Sequence, residues 1–492
     1  MKGKAFEIVS VILLFDALVV ATVLLFSAYV PDGSPLRFMK WETLLNLGKV
    51  NQNQMADSLI NKYEDEDSVS VSAQFSLKKL EELKRKKGES FIFNPDTLGS
   101  SYLDSFFVAL GDSLHPKSLR IAHYGDSQLE GDRVSCFIRK KFQQKFGGYG
   151  LGFVPLCDIA TSVDYSIASS DNWIRYTVFH NRYKGGYYGL SGTVFRFSKY
   201  IIDHSEEKDT TVNQTIYDSS SKSGKIVAFH NAWVSYHFQT SYKTITLMYG
   251  NAKTPCLINV YDTKTSEIIL RDTLAASFEF NLHELKLPTN PLAIKIEFIS
   301  GISPDFYGLL FDGDKGVQVD NYAIRGHSGD GLMNIQPDFL AKQIQDLHTK
   351  LVLFQYGANV VPYIKNEKDC KNLEQIYYKL FMRYKAKAPE TSVLVIGAGD
   401  MARSIDGKYE SYPMLSEIRD AQKRAALKAG CAFWDLYEIM GGEDAILTWT
   451  EKGLASYDGH LTPKGQKMIS EKLFNALMVE YNLYLFRKKH NS

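Results

Sequence analysis

The sequence predicts a doubly wound, parallel α/β domain interrupted by an all-β sandwich and preceded by one transmembrane helix. Three observations predict it. Near-continuous apolar runs such as "KLVLFQYGAN" and "SVLVIGAGD" alternate with amphipathic helical stretches, the pattern of strands covered on both faces. Between residues 155 and 315 the alternation stops, and short strand-like runs follow one another with turn residues between them. The amino-terminal run from Ile8 to Val30 is apolar over a bilayer's width, interrupted only by Asp16.

Taken in order, residues 1–30 form the anchor. Lys2 and Lys4 precede the apolar run, so the short amino-terminal tip stays in the cytoplasm and the chain after about Asp32 is exported. The run ends in Leu25-Phe26-Ser27-Ala28-Tyr29, a poor cleavage site, which favours an uncleaved signal anchor over a signal peptide. Asp16 is costly at that depth; it either faces a partner helix or is tolerated by a single-pass span. Residues 31–95 form a juxtamembrane spacer, in which "LKKLEELKRKKGES" is a charged, solvated helix.

The α/β domain then occupies residues 96–154 and 316–492. Its first strand, Leu119 to Tyr124, leads through Gly125-Asp126-Ser127 to a helix with Val134, Phe137, Ile138 and Phe142 on one side. The runs "WIRYTVFH", "GTVFRFSKY", "AWVSYHF", "TITLMYG", "CLINVYD", "FEFNL" and "LAIKIEFIS" make up the inserted sandwich, residues 155–315. At "GVQVDNYAIRG" the alternation of strand and helix resumes. It ends in "TPKGQKMISEKLFNALMVEYNLYLF", a helix capped by Thr462 with Pro463 at its first position.

Composition narrows the function. The 492 residues carry a formal charge of +1, which argues against nucleic acid as the main partner. The five cysteines are scattered without a CxxC pair, and the eleven histidines show no HExxH spacing. No disulfide framework or metal is expected. The 29 tyrosines and 29 phenylalanines suit β-rich cores and sugar-stacking surfaces alike.

The carboxyl ends of the α/β strands, where such folds bind ligands, carry Ser127, Gly326, Gly357, Asn359 and, before the last helix, Asp458 and His460. Ester hydrolysis by serine needs a nucleophile, a base with an orienting carboxylate, and donors for the developing oxyanion. Ser127, His460 and Asp458 fill the first three roles. The Ser127 and Gly326 backbone N–H groups and the Asn359 amide are the candidate donors. Each residue also has a plainer reading: Ser127 a helix cap, Gly326 a turn glycine, Asn359 a turn residue. Asp126 is expected to tie down its own loop, His123 to be structural and His327 to be an exposed loop histidine. Asp400 is a candidate for the cleft wall.

These residues resemble the four blocks of the SGNH (GDSL-like) hydrolases, in family order: Ser127 in "YGDSQ", Gly326 in "IRGHSG", Asn359 in "YGAN" and His460 in "DGHLTPKG". An insertion after the serine block, and the segment "PMLSEIRDAQKRAALKAGCAFWDLYEIMGGEDAILTW", look like Gram-negative peptidoglycan O-acetylesterases, whose insertion is similar to a carbohydrate-binding module. The resemblance implies removal of O-acetyl groups from a cell-envelope glycan, without a cofactor, by a catalytic part held in the periplasm by the inner-membrane anchor. Two alternatives stand beside it. One is an exported O-acetyltransferase working with a membrane-bound O-acyltransferase; the other is a glycan-binding protein with a decayed site. Aromatic residues of the insertion (Trp173, Tyr176, Tyr187, Tyr188, Trp233, Tyr236) are candidates for holding sugar.

Two positions depart from the family. Gln128 replaces the leucine of GDSL, a harmless change among remote members. The family's Asp-x-x-His is shortened here to Asp458-Gly459-His460, with Tyr457 where the acid is expected. Gly459 has the backbone freedom to let Asp458 reach the ring; the competing reading is a Ser–His dyad assisted by a backbone carbonyl.

Overall fold

A computed structural model of the chain describes residues 92–94, 100–112, 118–157, 159–203, 225–228, 231–313 and 315–491. The anchor and all of the spacer before residue 92 lie outside the described residues. Among the described residues no helix is long and apolar enough to cross a membrane.

The α/β domain is built on six strands: β1 (Ile92–Phe93), β2 (Leu119–Gly125), β3 (Val317–Ala323), β4 (Thr349–Gln355), β5 (Ser392–Ile396) and β6 (Ala432–Trp434). Their order is β1-β6-β5-β4-β2-β3, with β2 to β6 parallel and β1 antiparallel at the edge. Ile92–Phe93, placed in the spacer by the charged sequence before it, is therefore an edge strand of this sheet. Two residues are too short to show a period in sequence.

The helices are α1 (Asp104–Gly111), α2 (Ser135–Phe146), α3 (Pro337–Asp346), α4 (Glu367–Lys387), α5 (Leu415–Lys428), α6 (Leu436–Met440), α7 (Ala445–Glu451) and α8 (Pro463–Asn491). Side chains alternate across the strands, so one sequence feeds two cores. Ile121, Leu351, Leu353 and Ile396 pack with Phe106 of α1, Phe142 of α2 and Leu477 of α8. Ala122, Tyr124, Val352, Phe354 and Val395 pack with Ile344 of α3, Leu380 of α4 and Ile418 of α5. Burial on both faces is why these strands read as unbroken apolar runs.

The insertion is a sandwich of two antiparallel sheets. One takes Trp173–Thr177, Thr193–Phe197, Thr244–Gly250, Asn281–Leu285 and Asp305–Asp312; the other takes Tyr165–Ser169, Ala232–Phe238, Cys256–Asp262, Ile268–Leu274 and Ala293–Ile299. Ile294, Ile296 and Phe298 point into its core while Lys295 and Glu297 stay half-buried outside, the period of two expected of a half-covered strand. Gly150–Val154, ahead of residue 155, pairs with Asp305–Asp312 and so joins the sandwich. Of the aromatic residues put forward for sugar, Tyr188 and Tyr236 are buried. Trp173 packs its ring on Phe197, Phe298 and Phe306. These three are core residues; Tyr187 is the exposed one.

Buried charge joins sandwich and sheet. Arg120 of β2 pairs with Asp320 of β3 at 2.9 Å and with Asp312, the last residue of a sandwich strand. Asp320 also accepts the Phe153 N–H at 2.9 Å. Removing one member of a buried ion network strands its partners in a medium that solvates them poorly. Arg120→Met is therefore expected to lower the unfolding free energy by about 3–5 kcal/mol, read from urea denaturation. An unchanged midpoint would show that the two carboxylates do not depend on Arg120.

Candidate active site

β2, β3 and β4 run in register, so that Gly125 pairs with Ala323 on one side and with Gln355 on the other. Their carboxyl ends therefore open at one level. The chain leaves β2 for one edge of the sheet and returns through β4 on the other side, which makes the gap between these strands the switch point of a flavodoxin-like order. Ser127 sits two residues beyond β2.

It is not a helix cap. The helix that follows, α2, begins only at Ser135, after a 3-10 turn at Glu130–Asp132. Gly125 makes the sharp exit feasible: a Cβ there would meet Leu129 Cδ1 at 2.6 Å and the Gln355 carbonyl oxygen at 3.0 Å. Asp126 fixes the loop as expected, its Oδ1 accepting the Gln128 N–H at 2.9 Å. Burial pushes the Asp126 carboxyl up to about 6, against the pull of that hydrogen bond and of His460 and Asn359.

Ser127 Oγ lies 2.9 Å from His460 Nε2, and His460 Nδ1 lies 2.9 Å from Asp458 Oδ2. The shortened block thus closes by the route its glycine allows. Gly459 has φ +86°, and the loop is tightened by Gly459 N–H to Ser456 O and Ser456 N–H to His460 O, both 2.9 Å. Asp458 Oδ1 accepts the Ser456 hydroxyl at 2.5 Å and the His460 N–H at 3.2 Å. Partial burial works against the charged carboxylate, but these hydrogen bonds and the imidazole hold Asp458 below its usual range. An ionised Asp458 accepting from Nδ1–H leaves Nε2 as the acceptor for the serine proton. Thr462 caps α8 behind this loop, its Oγ1 accepting the Gly465 N–H at 3.3 Å.

Gly326 has φ +74°, beyond the end of β3. A Cβ there would touch the Phe179 ring at 3.4 Å. Asn359 Nδ2 donates to Asp126 Oδ2 at 2.9 Å and to the His327 carbonyl at 3.2 Å. Its two amide hydrogens thus tie the serine loop to the Gly326 loop. Asn359 becomes an oxyanion donor only by giving up one of these bonds.

His327 departs from expectation. It is fully buried, with Nε2 accepting the Gly331 N–H at 3.1 Å and its ring against Phe179 and Tyr356. Burial pushes it down to about 4, so it stays neutral well below pH 7. An apolar shell contributed by distant segments buries it, and the local sequence carries no sign of that. His123 is structural, held between Gln355 Oε1 at 3.1 Å and Ser135 Oγ at 3.0 Å. Asp400 is buried, accepts the Ser411 hydroxyl and the Ile446 N–H, and lines a cavity of about 40 Å³ with Asp126, Gln128, Ala358 and Leu461.

Two contributors escape a sequence reading. Phe179, from a loop of the insertion, reaches Gly326 and His327. No local signal marks it, because the approach depends on how the sandwich packs. Gln128 is the second. Its Nε2 donates to the Gly459 carbonyl at 2.8 Å, and its Oε1 accepts the Leu461 N–H at 3.3 Å. Both bonds grip the histidine loop, which a leucine could not do, so the substitution that looks harmless in sequence has a partner in space. With each bond contributing about 1 kcal/mol, Gln128→Leu is expected to lower kcat about ten-fold or more with little change in KM. Steady-state kinetics on p-nitrophenyl acetate reads this; wild-type kcat would show that the loop holds itself.

Residues 303–468 match the model of the GDSL-like lipase/acylhydrolase family. No curated protein matches the sequence. Among solved structures the chain is similar to a peptidoglycan O-acetylesterase, with a TM-score of 0.58 and 17% identity over 80% of this chain and 99% of that one. An acetyl xylan esterase matches with a TM-score of 0.25 and 15% identity, over 33% of this chain and 81% of that one. A family two carbohydrate esterase from Cellvibrio japonicus matches with a TM-score of 0.24 and 9% identity, over 65% and 99%. The last two scores are too low to bear on the fold. The resemblance to GDSL-like hydrolases holds, and the fold is SGNH-like.

Proposed function

We propose that this GDSL-like hydrolase is a serine esterase that removes O-acetyl groups from a cell-envelope glycan, peptidoglycan first among them. The observation that carries the proposal is the continuous chain from Ser127 through His460 to Asp458 at the switch point of the sheet. The fold shared with a peptidoglycan O-acetylesterase supports the choice of glycan. Each part then has a task. His460 Nε2 takes the Ser127 proton as Oγ attacks the acetyl carbonyl. The Ser127 and Gly326 N–H groups receive the oxyanion, and Asn359 joins them if it releases one present partner. Collapse expels the sugar oxygen, which leaves with the proton from His460. Water, deprotonated by His460, then cleaves the acyl-serine to acetate and free serine.

The sandwich is assigned to the polymer, with Phe179 bringing it to the cleft. The apolar amino-terminal run would keep the enzyme on the inner membrane, facing the periplasm. That anchor also suits transfer of acetyl onto a glycan hydroxyl, with a membrane-bound O-acyltransferase as donor partner. A decayed site is the weakest alternative, because every hydrogen bond of the triad is in place. The test is acetate release from O-acetylated peptidoglycan by the full-length chain, beside Ser127→Ala. Release by the wild type alone is expected. No release there and none from p-nitrophenyl acetate would overturn the proposal, and acetyl appearing on an added glycan in place of free acetate would select transfer.

A further inference from the structure

A β-hairpin stands beside the histidine loop. Its strands, Ala402–Ile405 and Lys408–Ser411, pair across Asp406-Gly407, where φ is +50° and +79°. Two positive φ values in a two-residue loop make a type I′ turn, for which Asp-Gly is the strong sequence signal. A two-stranded ribbon is marginal alone, and this one is fastened at its base. The Ala402 N–H donates to the Tyr457 carbonyl at 2.7 Å, and the Ser411 hydroxyl donates to Asp400 at 2.7 Å. The hairpin is thereby tied to the residue next to Asp458.

Two tyrosines meet at that tie. The rings of Tyr409 and Tyr457 lie parallel within 3°, with centroids 3.7 Å apart. Aromatic pairs left to themselves prefer offset or edge-to-face contacts, so the backbone fastening imposes this cofacial geometry. Tyr457 covers one face of Tyr409, yet Tyr409 remains 45% exposed. On that face of the ribbon Tyr409 has Ser404 as its cross-strand neighbour, while the Arg403–Glu410 pair, 2.9 Å apart, and exposed Lys408 alternate to the other face. Fixed apolar faces with a few polar groups around them are what binding sites offer an orienting ligand. A pyranose ring matches this one: its C–H face suits the tyrosine, and its hydroxyls suit Ser404 beside it.

We infer that the Tyr409–Tyr457 stack is a glycan subsite, which seats a sugar ring of the polymer next to the acetylated residue over Ser127 and His460. The inference rests on the esterase reading for its substrate class and adds the place where the polymer is gripped. Tyr457 gives the stack its rigidity; Tyr409 presents the face.

The experiment uses the full-length chain with Tyr409→Ala and Tyr409→Phe, assayed on O-acetylated peptidoglycan and on p-nitrophenyl acetate. Tyr409→Ala is expected to raise KM on the polymer about five-fold more than on the small ester, with Tyr409→Phe close to wild type. Equal effects on both substrates, or none on either, would overturn the subsite. Calorimetric titration of the Ser127→Ala chain with an N-acetylglucosamine tetrasaccharide separates this from the esterase reading. Binding that weakens in Ser127→Ala/Tyr409→Ala supports the subsite even if no acetate is ever released. Absent binding, binding indifferent to Tyr409, or binding of a sugar-free stem peptide in its place contradicts it.

Discussion

Ser127→Ala is expected to lower kcat for acetyl-ester hydrolysis by about five to six orders of magnitude, and His460→Ala by nearly as much. The reason is geometric. Ser127 Oγ has one base in reach, His460 Nε2 at 2.9 Å, and that base has one evident proton to take. Losing either partner removes the same step, so the double variant is expected to be little worse than either single one. Additive losses in kcat would mean that the two residues do not act as a unit. Ser127 lies in a loop and His460 is partly exposed, so folding should be intact in all three variants, as circular dichroism can verify.

Asp458→Asn is the second large effect, and it is graded. The carboxylate fixes which ring nitrogen of His460 carries the proton and stabilises the imidazolium that forms. An asparagine can present its N–H to Nδ1 and invert the tautomer, which leaves Nε2 unable to accept from serine. In a buried triad that change removes about four orders of magnitude. Here the Asp458 side chain is 65% exposed, so water competes for Nδ1 and screens the pair. A fall of about 10²- to 10⁴-fold is expected, smaller than that of Ser127→Ala. Wild-type turnover in Asp458→Asn, in a protein where His460→Ala is dead, would leave a Ser–His dyad.

What the sequence discloses about this site follows from how local each interaction is. Strands β2, β4 and β5 are covered on both faces and so announce themselves as apolar runs. The Asp458-Gly459-His460 turn is legible because its one unusual backbone angle falls on a glycine. Gly150–Val154 is harder to see: its two glycines, at φ +97° and +69°, alternate with apolar residues, and it pairs through a register shift. Gln128 could not be read correctly, because its two partners lie over 300 positions away. The same holds for His327, whose burial against Phe179 and Tyr356 comes from distant segments. The Asp406-Gly407 hairpin was visible in principle, as a turn pair between short strands, whereas the stacking of Tyr409 on Tyr457 was not. Tyr457 itself shows the limit of motif matching. It fills the acid's position in the block, and the structure gives the contact with His460 to its neighbour instead.

The most direct measurement is mass-spectrometric mapping of a serine-directed phosphonate on the full-length chain and on His460→Ala. A nucleophile activated by His460 predicts one adduct, on Ser127, in the wild type and its near absence in His460→Ala. An adduct on another serine, or equal labelling of Ser127 in both proteins, would contradict the catalytic unit on which the proposed function stands.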